Sequence, residues 1–370
     1  MENRKVRVAI THGDTNGIGY ELIFKTFSEP AMLELCTPII YGSPKVAAYH
    51  RNALETNANF TIIDNAADAH EGKVNMVAAF NEEVKVELGT PSEKSANAGL
   101  RALDRALADY EEGLFDVLVT APIENNEAFQ FSGQSRYIED HTNQFGKALT
   151  ILVNNNLRIA LATRNLPLRQ VAESITQDDI VGKATTLFTA LKRDFRISNP
   201  RIAVLAINPK AGENGQLGTE EQEIIAPAVK QLEEKGIQAY GPYATDEFFS
   251  KAYYPEFDGV LAMYYDQAFI PFRSLSEEEG VNYTAGMNLV RTAPDCGCSL
   301  SMAGKNAADP HAMREAIFQA IDIWRNRAGY DESTANPLKK LYRERRDESE
   351  KVRFSTPKPA EKRQNTPQQQ

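Results

Sequence analysis

The stretch from Ile202 to Gly236 constrains the fold more than any other part of the chain. Ile202 to Ile207 is a short apolar run rich in branched residues, which predicts a buried strand. Asn208 and Pro209 follow, then a loop carrying Gly212, Gly215 and Gly218. Thr219 with Gln222 three residues on predicts a capping box. Glu220 and Glu221 suit the positive end of the helix that follows. Ile224, Ile225, Ala228, Val229 and Leu232 make its buried stripe, and Gly236 is its stop. Pro227 removes one backbone hydrogen bond and predicts a bend inside that helix. A strand, a glycine loop and a capped helix belong to an open α/β sheet. They predict backbone amides at the strand's carboxyl end, where small anions bind.

The same alternation fills residues 6–327. Strands are predicted at 6–10, 38–42, 60–63, 114–121, 149–153, 158–163 and 260–263. Helices are predicted at 22–27, 95–113 and 178–195, with a last one starting at Asp309-Pro310 and ending near Arg327. The class is α/β. Between the first strand and helix lies Thr11-His12-Gly13-Asp14-Thr15-Asn16-Gly17-Ile18-Gly19. Its glycines permit a tight turn, but the spacing is not the G-x-G-x-x-G dinucleotide fingerprint. His12 is read either as a turn histidine or as a residue facing a cleft.

Composition narrows the classes of function. A chain of 370 residues with 42% hydrophobic content can bury a real core. Its net charge of -10 argues against a general nucleic-acid binder. No apolar run reaches the roughly 20 residues of a membrane span. The start, MENRKVRVAITHGD, enters a strand at once and has no signal-peptide pattern. Cys36, Cys296 and Cys298 do not make a disulfide framework, so a cytoplasmic location is expected. Cys296-x-Cys298 is read as packing or loop cysteines. Beyond about Gly329 the chain turns polar, and 338–363 carries ten Lys or Arg against five Asp or Glu. Residues 330–370 are expected to be a basic-leaning, disordered tail.

Several segments carry a family resemblance. NPKAGENGQLGTEE resembles the NPHAGEGG-x-x-GTEE segment of the 4-hydroxythreonine-4-phosphate dehydrogenase family, NAD-dependent enzymes of vitamin B6 synthesis. The opening of the chain resembles that family's GDPAGIGPE. Further matches lie at Thr120 to Ile123, Leu166 to Arg169, Ala262 to Gln267, Val281 to Thr284 and Ala303-Gly304. The resemblance implies two α/β/α domains around a cleft, within residues 1–329, like the isocitrate and isopropylmalate dehydrogenase fold. It implies NAD as cofactor, and a homodimer whose site takes residues from both chains. It also implies a divalent metal that binds the secondary alcohol, held by three histidines.

None of those histidines is present. TTHLPL appears as Thr163-Arg164-Asn165-Leu166-Pro167-Leu168, and MYHDQ as Met263-Tyr264-Tyr265-Asp266-Gln267. Asn165, Lys210 and Tyr265 therefore stand at the metal positions, and no divalent metal is expected. None of His12, His50, His70, His141 and His311 is three or four residues from another. Asp246 and Asp266 are expected to pair with Lys210. The family's substrate-contacting positions correspond to Gln134, Ser135, Arg273, Asn282 and Arg291. Asn125 replaces a family Lys, and Asp295-Cys296-Gly297-Cys298 replaces DHGT.

Three functions stay open. One is a catalytically weak or inactive relative that binds a small phosphorylated hydroxy or amino acid. A second is a metal-independent NAD oxidoreductase with Lys210 and Tyr265, and Asp266 beside them, as its catalytic residues. The third is a working family dehydrogenase.

Overall fold

Twelve short strands form one sheet in the computed structural model, which describes residues 4–124, 133–275 and 280–337. The strands are β1 (Val6–Thr11), β2 (Cys36–Gly42), β3 (Thr61–Ile63), β4 (Asn75–Ala78), β5 (Val117–Thr120) and β6 (Leu149–Val153). They continue as β7 (Arg158–Leu161), β8 (Arg201–Leu205), β9 (Gln238–Tyr243), β10 (Gly259–Ala262), β11 (Val281–Ala285) and β12 (Val290–Pro294). The first helices are α1 (Gly19–Phe27), α2 (Pro30–Leu35), α3 (Pro44–Ala53), α4 (Glu93–Glu111), α5 (Gln134–His141) and α6 (Leu168–Ser174). The rest are α7 (Gln177–Arg193), α8 (Ala226–Glu234), α9 (Thr245–Ser250), α10 (Tyr265–Leu275) and α11 (His311–Thr334).

The sheet order is β3-β4-β2-β1-β5-β12-β11-β6-β7-β10-β8-β9. Two wings of parallel strands, β3 to β12 and β7 to β9, flank an antiparallel centre made by β11 and β6. Three antiparallel pairings separate the wings, so they run in opposite directions. The α/β class expected from the alternation is the observed one. The chain divides into a compact unit, Met1–Asp331, and a second unit, Glu332–Gln370. The expected tail beyond 337 and Asn125 lie outside the described residues.

Local chemistry explains the helices around the centre. α4 starts where the Ser92 hydroxyl accepts the Ser95 amide at 3.1 Å, and buries Ala102, Leu103, Ala106 and Leu107. α7 starts where the Thr176 hydroxyl accepts the Asp179 amide at 3.2 Å. It carries Asp178 and Asp179 in its first turn and Lys192 and Arg193 in its last, matching the helix dipole. Gly13 sits at φ 73°, and a Cβ there would lie 2.3 Å from the Pro122 carbonyl oxygen. At Gly19 it would lie 1.9 Å from the His12 oxygen. The glycines of this turn thus serve close packing.

Several expectations are corrected. The capping box at Thr219 and Gln222 does not form. A π-turn, Glu221–Ile225, comes first, and the Thr219 carbonyl takes the Gln222 and Glu223 amides. Pro227 lies inside a continuous helical run, since the π turn Glu221–Ile225 passes without a break into α8. It is the second residue of α8, and its missing N–H falls directly after the widened turn. Gly236 does end α8, at φ 76°, with the Ile237 amide on the Leu232 carbonyl at 3.0 Å. α11 runs on to Thr334 rather than stopping near Arg327. Strands β4, β9, β11 and β12 carry signals too short or too polar to read from periodicity alone. No helix among the described residues is long and apolar enough to cross a membrane.

Candidate functional site

A cavity of about 1150 Å³ lies over the central strands β12, β11 and β6. It reaches the segments that follow β5, β7 and β10. Gln134, Ser135, Asn165, Tyr265, Arg273, Asn282 and Arg291 all line it. The sequence reading placed these residues in one site from five separate segments, and the fold brings them to one cavity. Lys210 and Asp266 are not among its lining residues.

Arg291 is the central group. It projects from β12 and is 4% exposed. Its Nε donates to the Thr120 hydroxyl at 3.0 Å, and its Nη1 to the Ser135 and Thr284 hydroxyls, each at 3.2 Å. Its Nη2 donates to Thr120 and to the Gln134 side-chain oxygen at 2.9 Å. Every partner is neutral. Burial, with Arg164 facing it, lowers the Arg291 guanidinium to about 9. A buried cation held only by hydroxyls and an amide has an unmet demand for an anion. Ser135 and Gln134 stand in the first turn of α5, and Gln134 is itself fixed by donating to the Ala121 carbonyl at 2.9 Å. Asn282, on β11, adds a buried side-chain oxygen with no hydrogen-bond partner. That oxygen can accept from a ligand hydroxyl or ammonium group.

Charge at the cavity favours an anion. Arg136, Arg164, Lys183, Arg273 and Arg291 line it, against the three carboxylates Glu139, Asp179 and Asp295. Five cations against three anions leave an excess of two positive charges, in a chain whose net charge is -10. Arg273 is less available than the sequence suggests. Both arms of its fork donate to Asp295 at 3.1 Å, and it lies over the Phe269 ring at 5.0 Å. Tyr265 stacks on Phe269 with ring centroids 3.9 Å apart. Burial pushes its phenol up, which keeps it a neutral donor at neutral pH.

The glycine loop behaves differently from its reading. The Glu221 carboxylate accepts the Ile207 and Asn208 amides, both at 2.8 Å. Asn208 Nδ2 donates to Glu221 at 2.9 Å and to Glu220 at 2.6 Å. A side chain of the chain itself thus occupies the place expected for an anionic ligand. Lys210 is 67% exposed at its side chain and pairs with Glu213 at 3.7 Å, not with Asp246 or Asp266. Both aspartates are exposed. Within one chain, Lys210 and Tyr265 do not form a catalytic pair in the cavity.

His12 is fully buried and stacks on Tyr20 with centroids 4.9 Å apart. Neither ring nitrogen has a partner. It is a turn histidine and does not line the cavity. All three cysteines are free. Among the described residues no three His, Cys, Asp or Glu side chains converge to hold a metal ion. An amide and a phenol at the cavity, with an ammonium group outside it, do not fit a divalent ion. Sequence reasoning missed Arg164 and Lys183. Arg164 is visible only as a charged residue inside the TTHLPL-like segment, and Lys183 carries no signal beyond an ordinary helix lysine.

These features define an open α/β protein with a cavity whose lining carries more cations than carboxylates. The profile of the family described as pyridoxal phosphate biosynthetic protein PdxA matches residues 34–320. A 4-hydroxythreonine-4-phosphate dehydrogenase of Bacteroides thetaiotaomicron is 51% identical over 360 residues, covering 96% of this chain and 99% of the relative. One of a Sulfurihydrogenibium species is 34% identical over 87% of this chain and 99% of its own length. The crystal structure of the enzyme of that name from Klebsiella pneumoniae superposes with a TM-score of 0.73, at 30% identity, covering 88% of this chain and 99% of that one. The chain belongs to the PdxA family.

Proposed function

We propose that the cavity binds 4-phosphohydroxy-L-threonine or a close phosphorylated hydroxy amino acid, and that oxidation of it by this chain is slow. The observation that carries the binding is Arg291, a buried guanidinium without a carboxylate partner. Ser135 and Thr284 align its fork, and Asn282 offers an acceptor for the ligand's hydroxyl or amine. Slow oxidation is supported by Asn165 and Tyr265 at the positions of two metal-binding histidines, and by Lys210 at the third. In the relatives' chemistry NAD accepts a hydride from the secondary alcohol. Here Tyr265 can hold a proton near that alcohol, but Asn165, Lys210 and Tyr265 do not make the ligand set that would hold a divalent ion to lower its pKa. A second reading, a working dehydrogenase, is favoured by the 51% identity to the Bacteroides relative over nearly the whole chain. A homodimer is part of either reading.

Calorimetry with 4-phosphohydroxy-L-threonine is expected to show binding to the wild type. Arg291→Ala should lose about 2 kcal/mol or more of it while the fold persists. Absence of heat with the wild type removes the proposal. NADH formation from the same compound, followed with and without added divalent ion, separates the readings on turnover. Rapid turnover that depends on the added ion leaves the second reading standing and ends the first.

A further inference from the structure

Beside the exposed Arg136, the cavity holds two partly buried cations that the binding reading leaves without a role, Arg164 and Lys183. Their setting follows from sheet register. Arg291 on β12 pairs with Thr284 on β11, and Thr284 pairs with Thr150 on β6. Residues directly opposite one another put their side chains on one face of the sheet. Arg291 donates to the Thr284 hydroxyl at 3.2 Å. Arg164, from the loop after β7, donates to the Thr150 hydroxyl at 3.3 Å and to the Ala148 carbonyl at 3.4 Å. Two hydroxyls thus stand side by side with a guanidinium on each. Lys183 reaches in from α7 and donates to the Ala162 carbonyl at the end of β7.

Neither Arg164 nor Lys183 forms an ion pair among the described residues. Glu139, the carboxylate that acts on Arg164, is turned to the Ala148 amide at 2.8 Å. Asp179, which acts on Lys183, takes the Thr176 hydroxyl at 2.6 Å. Burial holds both cations below their usual range. A bound anion would relieve that cost. The sequence adds an independent point. In the segment resembling TTHLPL, Arg164 replaces a threonine and Asn165 replaces the adjacent histidine. At consecutive positions the chain lacks the family's metal ligand and carries a cation that lines the cavity.

We propose that Arg164 and Lys183 form a second anion subsite that holds the carboxylate of a phosphorylated hydroxy amino acid. The inference rests on the binding reading above and deepens it, since it requires a ligand with two anionic ends. Two probes test it by calorimetry: O-phospho-L-threonine and the carboxylate-free 1-amino-2-propyl phosphate. Wild type should bind the first about tenfold or more tighter than the second. Arg164→Thr should cut that ratio to about threefold or less and leave affinity for the carboxylate-free probe within about twofold. Lys183→Gln gives the same readout should Arg164→Thr fold poorly, and melting temperature reports folding of both. A ratio unchanged in both variants overturns the subsite and leaves the binding reading intact. Failure of both probes and of 4-phosphohydroxy-L-threonine to bind wild type overturns both.

Discussion

A single side chain, His12, shows how far burial alone can set behaviour at the scale of the residue. It is enclosed, has no hydrogen-bond partner on either nitrogen, and faces His50. Burial first, and His50 second, push its pKa from 6.5 down to about 3. The unfolded chain therefore binds a proton near pH 6.5 that the folded chain refuses until about pH 3. Stability is fully present above pH 6.5 and is lost as pH falls from there toward 3. The loss from this group is about 1.4 kcal/mol per pH unit within that window. Burial also lowers His50, so it contributes in the same direction. His12→Phe keeps an aromatic partner for Tyr20 and removes the titration. Its melting temperature should fall less between pH 7 and pH 5 than that of wild type. Equal falls would show that the burial of His12 carries no linkage. The histidine was legible as a turn residue from its place after a strand. Its lack of partners was not, since Tyr20, His50 and Phe80 come from different parts of the chain.

Among the elements, the loop from Asn208 to Gly218 departs furthest from what its sequence pattern predicts. Lys210 to Asn214 all have left-handed backbone, with φ between 42° and 76°. Such a run costs about 1–2 kcal/mol for each residue other than glycine. It is closed by the Leu217 amide on the Gly212 carbonyl at 3.0 Å, and its entry is fixed by the Glu221 carboxylate on two backbone amides. Hydrogen bonds to a buried charged group are the strong ones. Glu221→Ala should destabilise the chain by about 2–3 kcal/mol in urea unfolding. It should also speed amide exchange at Ile207 and Asn208. A change below about 0.5 kcal/mol, the size typical of an ordinary surface substitution, would show that Glu221 does not anchor the loop. The strand and the helix on either side were readable from apolar spacing. The loop was not, because a capping box and a carboxylate anchor use the same Thr-Glu-Glu-Gln letters, and only the chain's path shows which amides each oxygen meets.

For the whole molecule, the proposed homodimer is the property most open to test. Leu168, at the start of α6, is 72% exposed, and Ile270 on α10 is 64% exposed. Leu166 and Tyr265, both at the cavity, are 43% and 40% exposed. Exposed apolar side chains of this size are what a proposed dimer contact would cover. Sedimentation at micromolar concentration is expected to give a dimer, and Leu168→Asp with Ile270→Asp should shift it toward monomer. A wild-type monomer at that concentration would end the homodimer reading.

What the sequence determined by itself was local and chemical. Apolar runs of four to seven residues and helical stripes identified most strands and helices, because burial imposes a period on each element. Segment matches alone assign Gln134, Ser135, Arg273, Asn282 and Arg291 to one site, and mark Asn165, Lys210 and Tyr265 as poor metal donors. Tertiary structure decided which groups meet. The pairing of β12, β11 and β6 aligned Arg291, Thr284 and Thr150 in one row, though they lie up to 141 positions apart in the chain. It left Arg291 without a carboxylate, gave Arg273 to Asp295, put Glu221 where an anion was expected, and brought Arg164 and Lys183 into the cavity. Periodicity reports only whether a side chain faces the interior. Which partner it finds there depends on strand order and register, and those are set by contacts between segments far apart in the chain.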